Sequence, residues 1–504
     1  MMYFVSLFIN LLLFTFAILA LLFGAYCLLV LWTRYKYRHL PCPQPCSFLF
    51  GHLLVFREQK RKRDELFSLF TQWTHEHGKV FVIYFMFYPW VVTCDNNAIQ
   101  DIFIKENLPK PKQIYGAIAT ILGTRFIGKG LVTEVDYEKW SKKRQEFNPA
   151  FHRSTLKELL SDFNSVGDQF IEALGNYADS GKQIQLMDWV HRAALAIICR
   201  VGYGKDLDVF KEDSPFNRAV TVMGHTLGHT MRDPTKLLPF MDGGLAKEFS
   251  KAVEFVKNEG RKWTMERKAA LENDEYTPDD ILDRTLKMEA KGNILDESDD
   301  VLDDFLTFFF AGHETSANTI SFMIMETGRH PEVLRRLCEE VDEVIGQKPH
   351  ISMDDLNKLD YMNLVWKETL RMWPIAPQVY REVNRDGFKI NGIEIPRGSV
   401  LAPSTFISSR MPEYVPNPLD FNPDRFLPDS PEKPVAYAST PFSIGPRNCI
   451  GQNFAIFEIK VLFAKFLQNF NFELDPTQSF DFVDAGTLKP KDMVRAKLSW
   501  KKSS

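Results

Sequence analysis

The chain has 504 residues, room for two or three ordinary domains or one unusually large one. Hydrophobic residues make up 45% and charged residues 25%, with 42 phenylalanines; this is no disordered chain, and it has material for a large aromatic interior. A net charge of −4 argues against a nucleic-acid partner, and seven scattered cysteines, with no Cys-x-x-Cys pair, fit reduced thiols facing the cytosol better than a disulfide framework or a zinc cluster.

The first charged side chain is Arg34, and Val5 to Leu31 is almost continuously apolar. That run exceeds the roughly 20 residues a bilayer-crossing helix needs. It is also longer than the core of a cleavable signal, and its basic cluster (Arg34, Lys36, Arg38) lies behind it. The positive-inside rule then leaves the body in the cytosol, on a single-pass anchor. Residues 1–33 read as the anchor, 34–50 as a basic, proline-rich hinge stiffened by Pro41, Pro43 and Pro45, and 51–504 as one large body.

Asp64 to His77 reads as a helix and Lys79 to Phe87 as a strand. From about 135 to 345 the pattern is mainly helical, with a loop at Arg232-Asp233-Pro234, another at Glu272–Asp280 and a helix start at Asp296–Asp300. Lys139, Lys142 and Lys143 suggest a solvated basic face. Phe305 to Ser316 reads as a long buried helix with a small-residue gap, Ala311-Gly312, followed by an acid and an alcohol, Glu314-Thr315. The gap would let a ligand press on the backbone. The Thr315 hydroxyl could bond back to the Ala311 carbonyl and open the helix locally, and the acid–alcohol pair could relay protons. Tyr361 to Met372 is a helix in which Glu368 and Arg371 sit one turn apart. Residues 375–440 are rich in turns, with a strand-like run at Phe388–Ile395, and a helical pattern returns from Gly451 to Phe470. The expected architecture is mainly α with a minor β portion.

The strongest signal is Phe442-Ser-Ile-Gly445-Pro-Arg447-Asn-Cys449-Ile-Gly451, immediately before that last helix. A cysteine at a helix N-terminus lies in the positive end of the macrodipole, which favours the metal-binding thiolate. Gly445 permits a sharp turn, and Gly451 lets the helix lie close to a flat cofactor. Arg447 can reach an anionic group, and Phe442 can shield the sulfur. Three other patterns fail. Gly123 to Lys129 lacks the Ser or Thr of a P-loop, His313-Glu314 lacks the second histidine of a zinc protease, and Gly202-Tyr-Gly204 lacks a third glycine.

These motifs, in this order, resemble those of the cytochrome P-450 superfamily, over about Tyr37 to Lys489. The resemblance implies that fold, haem b (iron protoporphyrin IX) with Cys449 as axial iron ligand, and Glu314 and Thr315 as proton donors to O2. Trp140, Arg144, Arg381 and Arg447 would meet the haem propionates, while Ala311, Gly312, Phe442, Gly445 and Gly451 would shape the haem site. Glu368, Arg371 and Arg425, the last in Pro423-Asp424-Arg425-Phe426, would lock the segment before the cysteine loop. The implied activity is that of a haem-thiolate monooxygenase in the endoplasmic reticulum membrane, fed electrons by an NADPH–cytochrome reductase docking on a basic face. Within the superfamily the chain looks most like the cholesterol 24-hydroxylases, in Phe308–Asn318, Glu340–Gly346, Phe421–Phe426, Pro441–Gln452 and Gly486–Pro490. That implies an apolar lipid substrate, a sterol side chain foremost. Fatty acids, steroids or xenobiotics are the alternatives, and an isomerase or lyase, or a haem-binding lipid or gas sensor, are rivals from other classes. The pocket is expected near Tyr115–Leu122, Val222–Leu238, Phe305–Thr315, Ile375–Val379 and Ala485–Leu488; no role is assigned to His225 or His229.

Overall fold

The computed structural model describes residues 2–62, 65–232, 243–290 and 298–501. The loop expected at Asp233-Pro234 and the beginning of the Asp296–Asp300 stretch lie outside the described residues. The chain divides into two units, 1–109 with 380–407, and 110–379 with 408–504.

The first unit opens with helix α1, Met2–Lys36, whose Tyr3–Lys36 stretch is long and apolar enough to cross a membrane; most of it is exposed, and Val30 and Thr33 near its end are buried. Its C-terminal end is pinned. The Arg34 guanidinium donates to Cys46 Sγ at 2.7 Å and to the Ser47 carbonyl at 2.9 Å, and Lys36 donates to the Arg397 carbonyl. The proline-bearing segment that follows is tied into a four-stranded sheet, with Val82 N–H bonded to the Pro41 carbonyl at 2.8 Å. Val80–Phe85 and Tyr88–Thr93 form its antiparallel hairpin, in register Val82↔Val91. Val400–Pro403 runs parallel to the second strand, and Arg381–Glu382 closes the far edge. The first strand is apolar on both faces because both are covered, one of them by Trp73 of α2, Leu66–His77. Phe388–Ile395, expected as one strand, is instead a hairpin of Lys389–Ile390 and Ile393–Glu394, because Asn391-Gly392 turns with positive φ at both residues.

The second unit is mostly helical: α3 Tyr137–Phe147, α4 Leu160–Gly175, α5 Leu186–Tyr203, α6 Pro215–Arg232, α7 Gly243–Glu272, α8 Ser298–Arg329, α9 Pro331–Val344, α10 Asp360–Met372 and α11 Gln452–Asn469. Helix α8 is central, and every residue from 300 to 327 except three is buried. Phe305 stacks against Tyr203 and Trp263, and Phe308 against Phe147 and Phe151, so helices on several sides share one aromatic core. The glycine-rich stretch that mimics a P-loop packs on this helix. Its cradle holds a carboxylate of the chain itself, with Lys129 N–H donating to Asp303 at 2.7 Å. The expected basic face loses a member: Lys143 turns inward and pairs with the buried Asp304 at 2.7 Å, leaving Lys139 and Lys142 exposed.

Candidate functional site

The cysteine loop is folded by its own backbone. Cys449 N–H donates to the Phe442 carbonyl at 2.9 Å, and Gly445 takes φ +77°, where a side chain would be strained. The Phe442 ring lies 5.8 Å from that of Trp366 on α10. Helix α11 starts only at Gln452, so Cys449 stands ahead of it rather than in its first turn. Burial pushes its thiol above the usual range, while the Gly451 N–H and the Arg144 charge pull it down. Without a ligand the charged form of Cys449 is therefore disfavoured, and a bound cation would favour it. The sulfur's side chain is nevertheless exposed. The surroundings of the residue are dense enough to disfavour its charged form even so. A Cβ added at Gly451 would meet only Cys449 Sγ, at 3.9 Å, so this side of the loop is open.

Two predicted anion-binding arginines, Arg144 and Arg447, gather at the loop beside Trp140. Arg144 on α3 donates to the carbonyl and side-chain oxygens of Asn448 at 2.6 and 3.0 Å. Arg447 donates to the Glu134 carbonyl at 2.7 Å and lies over the Trp140 ring at 4.4 Å. The hydrogen bonds named for both guanidiniums go to neutral oxygens, the kind of partner a carboxylate can displace. Arg381 belongs to the first unit, where it donates to the Tyr380 carbonyl and lies over Phe103.

Between residues 300 and 327 of α8 the three residues that escape burial are Ala311, Gly312 and Thr315. The Thr315 hydroxyl donates to the Ala311 carbonyl at 3.0 Å, yet the helix runs on unbroken. Gly312 does a different task from the one expected. Its missing Cβ would lie 2.8 Å from Ile198, so the glycine lets α5 pack on α8.

Glu314 points into a polar network. Its Oε1 accepts from Thr487 at 3.1 Å and Asn318 at 3.3 Å, while Oε2 lies 3.7 Å from His191 Nδ1 and 4.0 Å from His313 Nε2. Burial alone would raise this carboxyl, but His191, Lys489 and His313 with the Asn318 amide hold it below its ordinary value. Burial drives His313 down to about 4, so it is neutral. Asn318 is legible as i+4 from Glu314; His191 and Thr487 are remote in sequence, and no local pattern announces them.

The three structural candidates meet. Glu368 takes Arg371 on both oxygens at 2.7 and 2.8 Å and Arg425 at 2.9 Å, with all three side chains fully buried. The spare donors of both arginines reach carbonyls of 409–420 and 416–432. Segments expected to line a pocket also converge: Leu488 N–H bonds the Ile375 carbonyl, Gly228 abuts Ala485, and Gly486 lies beside Leu227. His225 and His229 lie on α6 with their rings stacked at 6.1 Å.

The family model described as Cytochrome P450 matches residues 41–497. Cytochrome P450 4d2 of Drosophila melanogaster is 29% identical over 462 residues, 87% of this chain and 90% of that protein. Cytochrome P450 3A6 of Oryctolagus cuniculus is 27% identical over 483 residues, 92% of each. Cytochrome P450 3A9 of Rattus norvegicus is 26% identical over 452 residues, covering 87% and 86%. None of these is a cholesterol 24-hydroxylase.

Proposed function

The chain belongs to the cytochrome P450 family, whose members are haem-dependent monooxygenases, and from that premise we propose that it hydroxylates an apolar lipid, foremost a sterol side chain. The observation that carries the reading is the exposed Cys449 thiol flanked by Arg144 and Arg447. These residues fit haem b: a sulfur ligand for iron, an open side at Gly451, and two cations beside an aromatic ring for the propionates. When bound, haem supplies the oxidative chemistry, with O2 and electrons from a reductase.

The chain's residues do the rest. Cys449 would hold the iron through its sulfur. Arg144 and Arg447 exchange carbonyl partners for carboxylates, and the Glu368–Arg371–Arg425 cluster holds the preceding segment in place. Thr315 offers its Oγ1 at the only bare stretch of the buried helix, where a proton is to be delivered. Glu314, a carboxylate at rest, takes up a proton from water and passes it to Thr315 after swinging away from Thr487. The apolar segments around Ile375, α6 and Ala485–Leu488 hold the substrate. The intact acid–alcohol pair favours a monooxygenase over an isomerase, a lyase or a passive haem carrier.

Family members draw electrons from reductases; for this chain an NADPH–cytochrome reductase docking near Lys139 and Lys142 is part of the proposal, as is an anchor in the endoplasmic reticulum with the body in the cytosol. Fatty acids, steroids and xenobiotics form the second reading of substrate, since the named relatives are not sterol side-chain hydroxylases. A binding-spectrum screen of sterols, fatty acids and steroids, followed by product analysis with NADPH and reductase, separates them. A low- to high-spin shift and a side-chain alcohol from sterols alone support the first reading. Turnover of fatty acids but no sterol overturns it.

A further inference from the structure

The hydrogen bonds around Glu314 fix where the protons are. A carboxylate only accepts, so Asn318 must turn its Nδ2 to Glu314 Oε1 (3.3 Å), which aims its Oδ1 at His191 Nε2 (3.0 Å). His191 therefore carries a proton on Nε2 and turns its Nδ1 to Glu314 Oε2, 3.7 Å away. His313 donates from Nδ1 to the Phe309 carbonyl at 2.8 Å, leaving its Nε2 bare, 4.0 Å from the same oxygen. Three potential ligand atoms thus converge, all within 4.8 Å of one another. Each has its other polar atom anchored by an outer partner: the Phe309 carbonyl, the Asn318 amide, and Thr487 with Asn318. Such outer bonds orient metal ligands and raise their basicity. Buried acceptors facing one another repel unless a cation lies between them.

We infer that His191, His313 and Glu314 form a binding site for a divalent ion of the zinc class, completed by water. Two imidazoles and one carboxylate suit zinc rather than magnesium or calcium. Bonds of about 2.0–2.1 Å in tetrahedral array put ligand atoms roughly 3.3–3.4 Å apart, so the 3.7 and 4.0 Å separations shorten by about 0.3 to 0.7 Å on binding. Room exists on the α6 side, where a Cβ at Gly224 would meet only Glu314 Oε2, at 3.9 Å. The side chain of His191 is 19% exposed, which gives the ion a way in. Lys489 and Asp188, the other charges near these groups, oppose one another in sign. The site stands without the proposed reaction, but its consequence rests on it: an ion on Glu314 removes that carboxylate from proton delivery and suppresses turnover.

The test titrates zinc chloride into the chelator-treated full-length holoenzyme by calorimetry, comparing the natural chain with His191→Ala. The expected result is one more zinc per chain in the natural protein, with binding at that site weakened at least about 10-fold in the variant. Equal stoichiometry and affinity in both would overturn the site. Should His191→Ala fail to fold, zinc-edge X-ray absorption of the natural protein decides. A shell with two imidazole nitrogens supports the site, and an all-oxygen shell overturns it. Zinc that binds through His191 yet leaves turnover unchanged keeps the site and removes Glu314 from the proton route.

Discussion

Replacing Glu368 with glutamine removes one charge while keeping the side chain's shape. In the structure Glu368 Oε1 accepts from Arg371, Arg425 and the Asn422 N–H at 2.8–2.9 Å, and Oε2 accepts from Arg371 Nε at 2.7 Å. An amide can replace only one oxygen acceptor. Whichever way it turns, its NH2 faces at least one guanidinium donor, the least crowded choice being Arg371 Nε. Two fully buried cations also lose their only short carboxylate partner, since Glu432 is 3.5 Å from Arg425 and partly exposed. Nearby Arg410, already driven down to about 9 by burial and the Arg371 charge, shows how poorly this region tolerates extra positive charge. Breaking a buried pair in this way costs about 3–5 kcal/mol. At about 2.1 cal/mol/K of unfolding entropy per residue, a body of this size shifts by roughly 1 °C per kcal/mol, so the melting midpoint should fall by about 3–5 °C. Thermal unfolding followed by tryptophan fluorescence, alongside the thiolate spectrum of the haem-loaded protein, measures it. A Glu368→Gln protein that melts within about 1 °C of the natural chain would refute the claim that this cluster holds the segment before the cysteine loop.

Thr315→Ala should leave haem content intact but uncouple NADPH use from product, with peroxide released; unchanged coupling removes the hydroxyl from proton delivery. Gly312→Ala places a methyl 2.8 Å from Ile198 and should cost about 1–3 kcal/mol, relieved when combined with Ile198→Ala; a stable single variant would contradict the packing role. Burial lifts the Asp304 carboxyl to about 6 against the pull of Lys143. The folded state thus holds a proton that the unfolded chain, near 3.8, has released. This group's contribution to stability is greatest below about 4 and is lost as pH rises through about 6, a slope that Asp304→Asn should abolish in pH-dependent melts.

The fold class was legible because α8 and α11 carry long apolar patterns and because the cysteine loop has fixed spacing. The Glu368–Arg371 pair was legible as an i,i+3 spacing, though its complete burial was not; nothing local tells a solvated pair from one sealed by backbone carbonyls 40 to 50 residues away. Lys143 misled for the same reason, since its partner Asp304 is remote in sequence. Gly312 was read as room for a ligand because the crossing of α5 at Ile198 leaves no trace in the sequence of α8. The network around Glu314 joins α5, α8 and the strand Leu488–Pro490 through side chains that only the fold brings together.

The central claim is that Cys449 ligates haem iron, and the ferrous carbon monoxide spectrum of the purified protein tests it most directly. The account predicts the red-shifted Soret band of a thiolate complex, lost on Cys449→Ala while haem remains bound. A band at the position of a nitrogen-ligated haem in the natural protein, or an unaltered thiolate band in the alanine variant, would contradict it.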